Sequence, residues 1–378
     1  MVTIKNYIPV LRWKKAERDA LATLDAKIRE NITPLFELIM PAPKLDKGDY
    51  TKILSDSKAV LQNNLPSTTE ELNKCCPMNS SAFVDVHLID GDLRADTLKQ
   101  ILDGSPLSQA TLIPVTHIIP VVSTDADMST RKVAVEYATS SDNGLCIRID
   151  RYNLDDDNLG QIINDFVTQN KLDISKTDLL IDLGIVNESD DASNVSIQLA
   201  RLPALNDWRT VILSGGAFPR DLSDFEAFSD HDISRLEWQL WNSVRDGLKS
   251  ATKDLAFSDY TIQHPVYYGQ IPGAIPSASI RYTLEDNWKI MRGTALNNPK
   301  SVGFDQYPEQ AKLLVNASGI FKGQGYSRGD DYMLEKSQDN PNGTGNPMTW
   351  LRAGINHHLT LVIKQLSTSD ETATTDEQ

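Results

Sequence analysis

The sequence predicts an α/β protein, a (β/α)8 TIM-like barrel with an appended C-terminal α+β extension, on three observations. Eight short apolar runs rich in β-branched residues recur along the first two thirds of the chain, and stretches of helical period lie between them. The runs are near-continuous instead of alternating, as parallel strands buried on both faces are. The span from Tyr7 to Pro265 is close to the ~250 residues typical of such a barrel. A doubly wound open sheet is the alternative that the same alternation allows.

The first run is Tyr7-Ile-Pro-Val-Leu-Arg-Trp, and Leu21, Leu24 and Ile28 follow at helical spacing. The second, Thr33-Pro-Leu-Phe-Glu-Leu-Ile, is followed by an irregular insertion from Pro41 to Ser81. Pro-Ala-Pro, Lys-Gly-Asp and Cys-Cys-Pro break that insertion around helical pieces, and its place after a strand puts it on the functional face, where it can act as a lid. Phe83-Val-Asp-Val-His-Leu-Ile is the third run, Leu112-Ile-Pro-Val-Thr-His-Ile-Ile the fourth and Leu145-Cys-Ile-Arg-Ile-Asp the fifth. Leu159, Ile162, Ile163 and Phe166 then mark a helix behind capping aspartates at 155–157. Leu179-Leu-Ile-Asp-Leu-Gly is the sixth run and Thr210-Val-Ile-Leu-Ser the seventh, followed by Ile233, Leu236, Leu240 and Val244 at helical spacing. Tyr260-Thr-Ile-Gln-His is the eighth.

Residues 266–366 are too many for a tail and form an extension packed on the barrel. It contains a strand at Ser279-Ile-Arg-Tyr-Thr and a polar glycine-rich loop from Phe321 to Asp330. Its closing helix opens at Asn346-Pro-Met-Thr-Trp350 and ends near Leu366. Residues 367–378 carry acidic side chains and no core former, and read as a disordered acidic tail.

With 37 basic against 52 acidic residues the net charge is −15, which excludes a chain that coats nucleic acid through a general positive field. The stretch from Asp150 to Asp191 is the most acidic and reads as a solvated face. Cys75 and Cys76 are adjacent and Cys146 sits inside a strand, a pattern without a disulfide framework that fits a reducing cytoplasm. No apolar run reaches the ~20 residues of a membrane span, and a secretory signal is not evident, so the expected location is cytoplasmic.

In a parallel barrel, chemistry sits where strand carboxyl ends converge on one mouth. Glu37, Asp85, His87 and Asp182 are the candidate catalytic groups. Arg12, Lys14, Arg148, Asp150, Ser214, Gly215, Gly216, His264 and Arg281 are the candidate ligand-binding ones, and His117 stands at the end of the fourth run. Asp85 and His87 are two apart and share a side of their strand, as do Arg148 and Asp150. Carboxylates beside a histidine can do acid–base work or hold a divalent ion, while cations can clamp a phosphate or carboxylate. The same charges can equally be a buried, compensated structural network. The tight ligand spacings of a metal site are missing, and so are the Walker A, GxGxxG and GxSxG patterns. Adjacent helical residues diverge by about 100°, so His357 and His358 suit packing or capping better than one shared ion.

The opening Tyr7-Ile-Pro-Val-Leu-Arg-Trp-Lys14-Lys-Ala-Glu17-Arg-Asp-Ala-Leu21 and the turn Gly215-Gly216-Ala-Phe218-Pro219 resemble the phage-related Beta protein family. So do Arg235-Leu-Glu-Trp238 with Trp241, Arg281-Tyr282, Gly345-Asn346-Pro-Met-Thr-Trp350-Leu-Arg352 and Asn356-His357-His358-Leu-Thr360. The resemblance covers nearly the whole chain. It implies an accessory protein of prophages and satellite phages, from gop–beta–cII type loci, with a role in anti-phage defence or toxin control and a protein partner from the same locus; it supplies no reaction and no site residue. The expectation drawn from both readings is a barrel mouth that recognises an anionic, nucleotide- or phosphate-like ligand and signals to that partner. The alternatives are a metal-assisted phosphoester hydrolase using the same mouth residues, and a toxin-neutralising partner acting through its acidic face.

Overall fold

The fold is seen in a computed structural model, which describes all residues except 1, 47, 50, 51, 78, 105–115, 249–253, 270–274 and 376–378. Its eight-stranded sheet consists of β1 (Val10–Arg12), β2 (Leu35–Glu37), β3 (Ser81–Asp85), β4 (His117–Ser123), β5 (Leu145–Asp150), β6 (Thr177–Ile185), β7 (Thr210–Gly216) and β8 (Leu255–Asp259). Every neighbouring pair is parallel and spatial order follows chain order. Tyr7 bridges both Ile32 and Phe257, and Ile8 N–H donates to the Phe257 carbonyl at 2.9 Å, which brings the first strand against the last. This is the TIM-like barrel the sequence predicts.

Two shells of apolar side chains explain why the strand sequences are apolar throughout. Inward positions such as Ile8, Val10, Leu35, Phe83, Ile119, Cys146, Leu180 and Ile212 fill the barrel. The alternate positions, among them Leu11, Phe36, Val84, Ile147, Ile181 and Phe257, meet the surrounding helices. A strand buried on both faces has no polar alternation to show.

Strand ends differ from the sequence reading in three places. β3 ends at Asp85, so His87 lies beyond the strand in the following turn. β4 begins at His117 instead of ending near it; the pairing of His117 with Ser81 puts this histidine at the amino end of the sheet, away from the mouth. Residues 112–115 of that run lie outside the described part. β8 is Leu255–Asp259, five residues ahead of the run that reads as the eighth strand. Its Ala-Phe-Ser-Asp sequence carries small and polar inward residues that hide the strand signal.

The insertion after β2 holds a short hairpin, Lys44–Leu45 with Ile53–Ser55, and then the 19-residue helix Ser57–Cys75, which packs beside the barrel helices Lys15–Ala22 and Arg94–Gly104. The extension has a three-stranded antiparallel sheet of Ser277–Thr283, Asn287–Ala295 and Ser229–Ser234. Its third strand comes from inside the barrel stretch, so Ile233, expected on a helix, is a strand residue, and the helix begins at Leu236. A separate core of Ile280, Tyr282, Met291, Tyr307, Met333 and Trp350 fills this layer.

The closing helix starts where Asn346 accepts hydrogen bonds from the Met348 and Thr349 amides, with Pro347 at its first position. It runs to Thr375, past the end expected near Leu366. The sequence there has no glycine or proline to stop it, and Ser367 and Thr368 donate back to the Ile363 and Lys364 carbonyls. Residues 376–378 lie outside the described part.

Candidate functional site

Side chains two residues apart on a strand share a face, so the second residue after each inward apolar one also points to the barrel axis, one layer nearer the mouth. Val10 is followed in this way by Arg12, Leu35 by Glu37, Phe83 by Asp85, Cys146 by Arg148, Leu180 by Asp182 and Ile212 by Ser214. The strand register sets Arg12, Glu37 and Asp85 side by side. A polar ring therefore caps the apolar barrel interior, and its members are almost wholly buried.

Arg148 stands at the centre of that ring. Its Nε and Nη2 donate to Asp182 Oδ2 at 3.2 and 2.5 Å, its Nη1 to Asp85 Oδ2 at 2.7 Å, and both Nη groups to Glu37 Oε1 at 3.1 Å. Nη2 also donates to the Tyr260 hydroxyl at 2.8 Å, and that hydroxyl donates to Asp182 at 2.6 Å. A guanidinium has five N–H groups, and its three nitrogens are all directed at these acceptors. Burial alone would raise the Asp85 and Asp182 carboxyls, but His87 with Arg148, and Arg148 with Tyr260, hold them below the usual carboxylate range.

His87 is the exposed member of the group. Its Nδ1 lies 3.1 Å from Asp85 Oδ1 and its Nε2 3.6 Å from Glu37 Oε1. Desolvation pulls the imidazole down, and Asp85 and Glu37 more than offset it, so the ring titrates above its ordinary value. The cluster thus offers the solvent a proton donor, not a free guanidinium.

Arg12 borders the ring, with Nε 3.8 Å from Glu37 Oε2 and Nη2 donating to the carbonyls of His264 and Pro265 at 2.8 and 2.6 Å. Glu17, from the first barrel helix, accepts the Arg12 amide and the Gln263 side chain. Its burial pushes the carboxyl up to about 7. Lys14 is next to both, its ammonium 4.7 Å from the Tyr267 ring centroid. Among the described residues the ammonium makes no hydrogen bond and no ion pair, and burial lowers its pKa against the opposing pull of Glu17. Lys14 also lines a groove of about 710 Å³ beside the mouth, with Trp13, Lys15 and Arg18, apolar residues such as Leu38 and Leu65, and Met348 from the closing helix.

The remaining candidates are spread around the rim. Asp150 caps the short helix after β5 by accepting the Asn153 amide. Ser214 accepts the Ser258 hydroxyl inside the barrel wall. Gly215 and Gly216 end β7, where a Cβ would stand 2.6 Å from Val186 and 2.8 Å from Pro265, so close packing explains both. The His264 ring accepts the Val266 amide and reaches solvent. Arg281 belongs to the extension's sheet and donates to the Ile262 carbonyl; burial pushes it down to about 10. Tyr260 and Glu17 join the site without a signal in the sequence. Tyr260 reads there as the start of a strand, although it stands just beyond β8, and nothing marks a helical glutamate as buried.

A second polar cluster lies behind the barrel. His358 Nε2 meets Asp259 Oδ2 at 2.8 Å, and its Nδ1 meets the Thr283 hydroxyl at 3.0 Å. The order hydroxyl, imidazole, carboxylate is that of a nucleophilic triad, but all three residues are at most 1% exposed, and Tyr7 also donates to Asp259. His357 separately meets Asp330, and Asn356 meets Ala20, so neighbouring residues of one helix tie it to three different elements. Among the described residues no group of three or more His, Cys, Asp or Glu side chains is placed to hold a metal ion; the mouth carboxylates converge on Arg148 instead. No described helix is long and apolar enough to cross a membrane.

No curated protein is similar enough to this chain to count as a match. The Beta protein family profile, by contrast, matches residues 7–364, which takes in the barrel, the polar ring and most of the closing helix, and the chain therefore belongs to the Beta protein family.

Proposed function

We propose that this Beta protein is a ligand-recognising accessory protein of a phage-borne defence or toxin-control locus. Its barrel mouth takes an anionic, nucleotide- or phosphate-like ligand and passes that occupancy to a partner protein. The observation that carries the reading is Lys14, a half-buried ammonium with no carboxylate within ion-pair distance among the described residues, in the wall of a roomy groove at the rim; Glu17 acts on it only from farther off. Glu17 and the Tyr267 ring offset this charge only in part, since burial still lowers the Lys14 pKa, and an incoming anion recovers the rest of the desolvation cost. Arg148, held by three carboxylates, is then the rigid base of the mouth and not the clamp. The closing helix gives a route to a partner, since Met348 and Leu351 line the same groove.

Lys14→Ala tests this. In cells carrying the locus it abolishes the protein's biological effect, while the purified variant keeps its melting temperature and its co-purifying partner. An unaltered effect in cells contradicts the reading.

A second reading, phosphoester hydrolysis, rests on His87, an exposed imidazole whose proton is held by Asp85 at the mouth. It predicts turnover of a phosphoester substrate that His87→Gln removes. Equal turnover by that variant contradicts it.

A further inference from the structure

A second cavity, of about 940 Å³, lies between the helix Ala26–Arg29, the loop and helix from Gly325 to Tyr332, and the closing helix. It falls within the range of small-molecule sites. The chain carries a net charge of −15, yet this cavity is lined by Lys27, Arg328, Arg352 and Lys364 against Asp25 and Asp331. Both acids are engaged within the chain. Asp25 accepts the Lys27 amide, and Asp331 accepts the Gly325 amide at 2.7 Å and pairs with Arg328 at 3.8 Å. Lys27, Arg352 and Lys364 have no carboxylate within ion-pair distance among the described residues. Lys364 lies 3.5 Å from the Tyr326 ring centroid, and Arg352 faces the Tyr332 ring at 6.0 Å.

The first amides of the Arg328–Lys336 helix are already used. Ser327 Oγ accepts the Asp330 amide at 3.0 Å, and Asn356 accepts the Gly329 amide at 2.9 Å. Recognition here falls on cationic side chains, not on a helix terminus. Lys364 donates to the Tyr326 carbonyl at 3.5 Å and feels Asp330 and Asp25 only beyond ion-pair distance. Three cations with no ion-paired carboxylate around one hollow suit a ligand with several negative charges, and the guanidinium of Arg352 matches the oxygen spacing of phosphate. We propose that this cavity binds a phosphate-bearing small molecule, at a site separate from the barrel mouth.

Isothermal titration of the full chain with inorganic pyrophosphate at low salt gives saturable binding that weakens as salt rises. Arg352→Gln with Lys364→Gln weakens it by roughly a hundredfold, about tenfold for each charge-assisted hydrogen bond removed. Both side chains reach solvent, so the double variant keeps its fold, checked by its melting temperature. Lys14→Ala keeps a saturable binding phase that the double variant loses, which separates the cavity from the mouth groove. A nucleoside diphosphate that binds more tightly than pyrophosphate identifies a nucleotide as the source of the phosphate, and equal affinities identify phosphate alone; either outcome supports the site. Absence of saturable binding up to millimolar pyrophosphate, equal competition by sulfate, or an isotherm unaltered in the double variant overturns it.

Discussion

Arg148 compensates three buried carboxylates at once, so removing it leaves Glu37, Asp85 and Asp182 crowded without that cation. Breaking such a buried pair from one side costs about 3–5 kcal/mol, and Arg148→Met is expected to lose that much in urea unfolding at pH 7. The loss depends on pH with a definite sign. In the wild type, Asp85 and Asp182 titrate below their unfolded values, so their stabilisation is present above about pH 4 and fades as pH falls through the folded values. In the variant Asp182 loses the cation that lowers it most and burial raises it, while His87 still holds Asp85 down, so the stability that Asp182 contributes falls as pH rises above about 4. The deficit between the two proteins therefore shrinks in acid; a deficit that stays constant from pH 7 to pH 4 contradicts the assignment. These residues were legible because a charge inside an apolar strand run must face somewhere, and the period of two says where. Lys14 was legible as a cation just past a strand. That Arg148 is taken up by three carboxylates and the Tyr260 hydroxyl was not, since compensation depends on which distant side chains arrive together.

The closing helix is the element on which the architecture turns. Gly329 lets its partner helix approach so closely that a Cβ there would stand 2.1 Å from the Ala353 carbonyl oxygen. That atom is backbone and cannot give way, so Gly329→Ala separates the two helices at roughly 1–3 kcal/mol, read as a lower melting temperature; an unchanged melting temperature would show that the crossing is looser. Where this helix begins is visible in Asn346-Pro347, a cap and a first-turn proline. Its end is not, because serine and threonine hydroxyls can bond back to the preceding turn and continue a helix that composition alone marks as tail. The sequence misplaces β4 and β8 by about five residues for a related reason. The eighth apolar run extends past its strand into the buried turn Tyr260–Ile262, and the true β8 presents only small residues to the barrel axis; residues 112–115 of the fourth run lie outside the described part.

At the scale of the whole molecule, barrel and extension share parts. The extension takes the strand Ser229–Ser234 from between β7 and β8, and the closing helix inserts Ile355, Leu359 and Val362 into the barrel's outer core while Trp350 and Ala353 serve the extension's own. Two units stapled in this way should unfold together. Calorimetry is expected to show one endotherm with equal calorimetric and van't Hoff enthalpies, and two resolved endotherms would mean that the shared helix couples them weakly. The acidic stretch from Asp150 to Asp191 is likewise less uniform than its composition suggests. Asp178 and Asp182 are buried against Arg209 and Arg148, and Asp190 pairs with Arg151, while Asp155, Asp156 and Asp157 do face solvent.

The central claim, that Lys14 at the rim of this mouth holds an anionic ligand, is tested most directly by releasing the small molecules that co-purify with the protein and identifying them by mass spectrometry. A phosphate-bearing compound retained by the wild type and by the Arg352→Gln, Lys364→Gln variant, but absent from Lys14→Ala, is the predicted result. The same compounds in equal amount from the wild type and Lys14→Ala would contradict it.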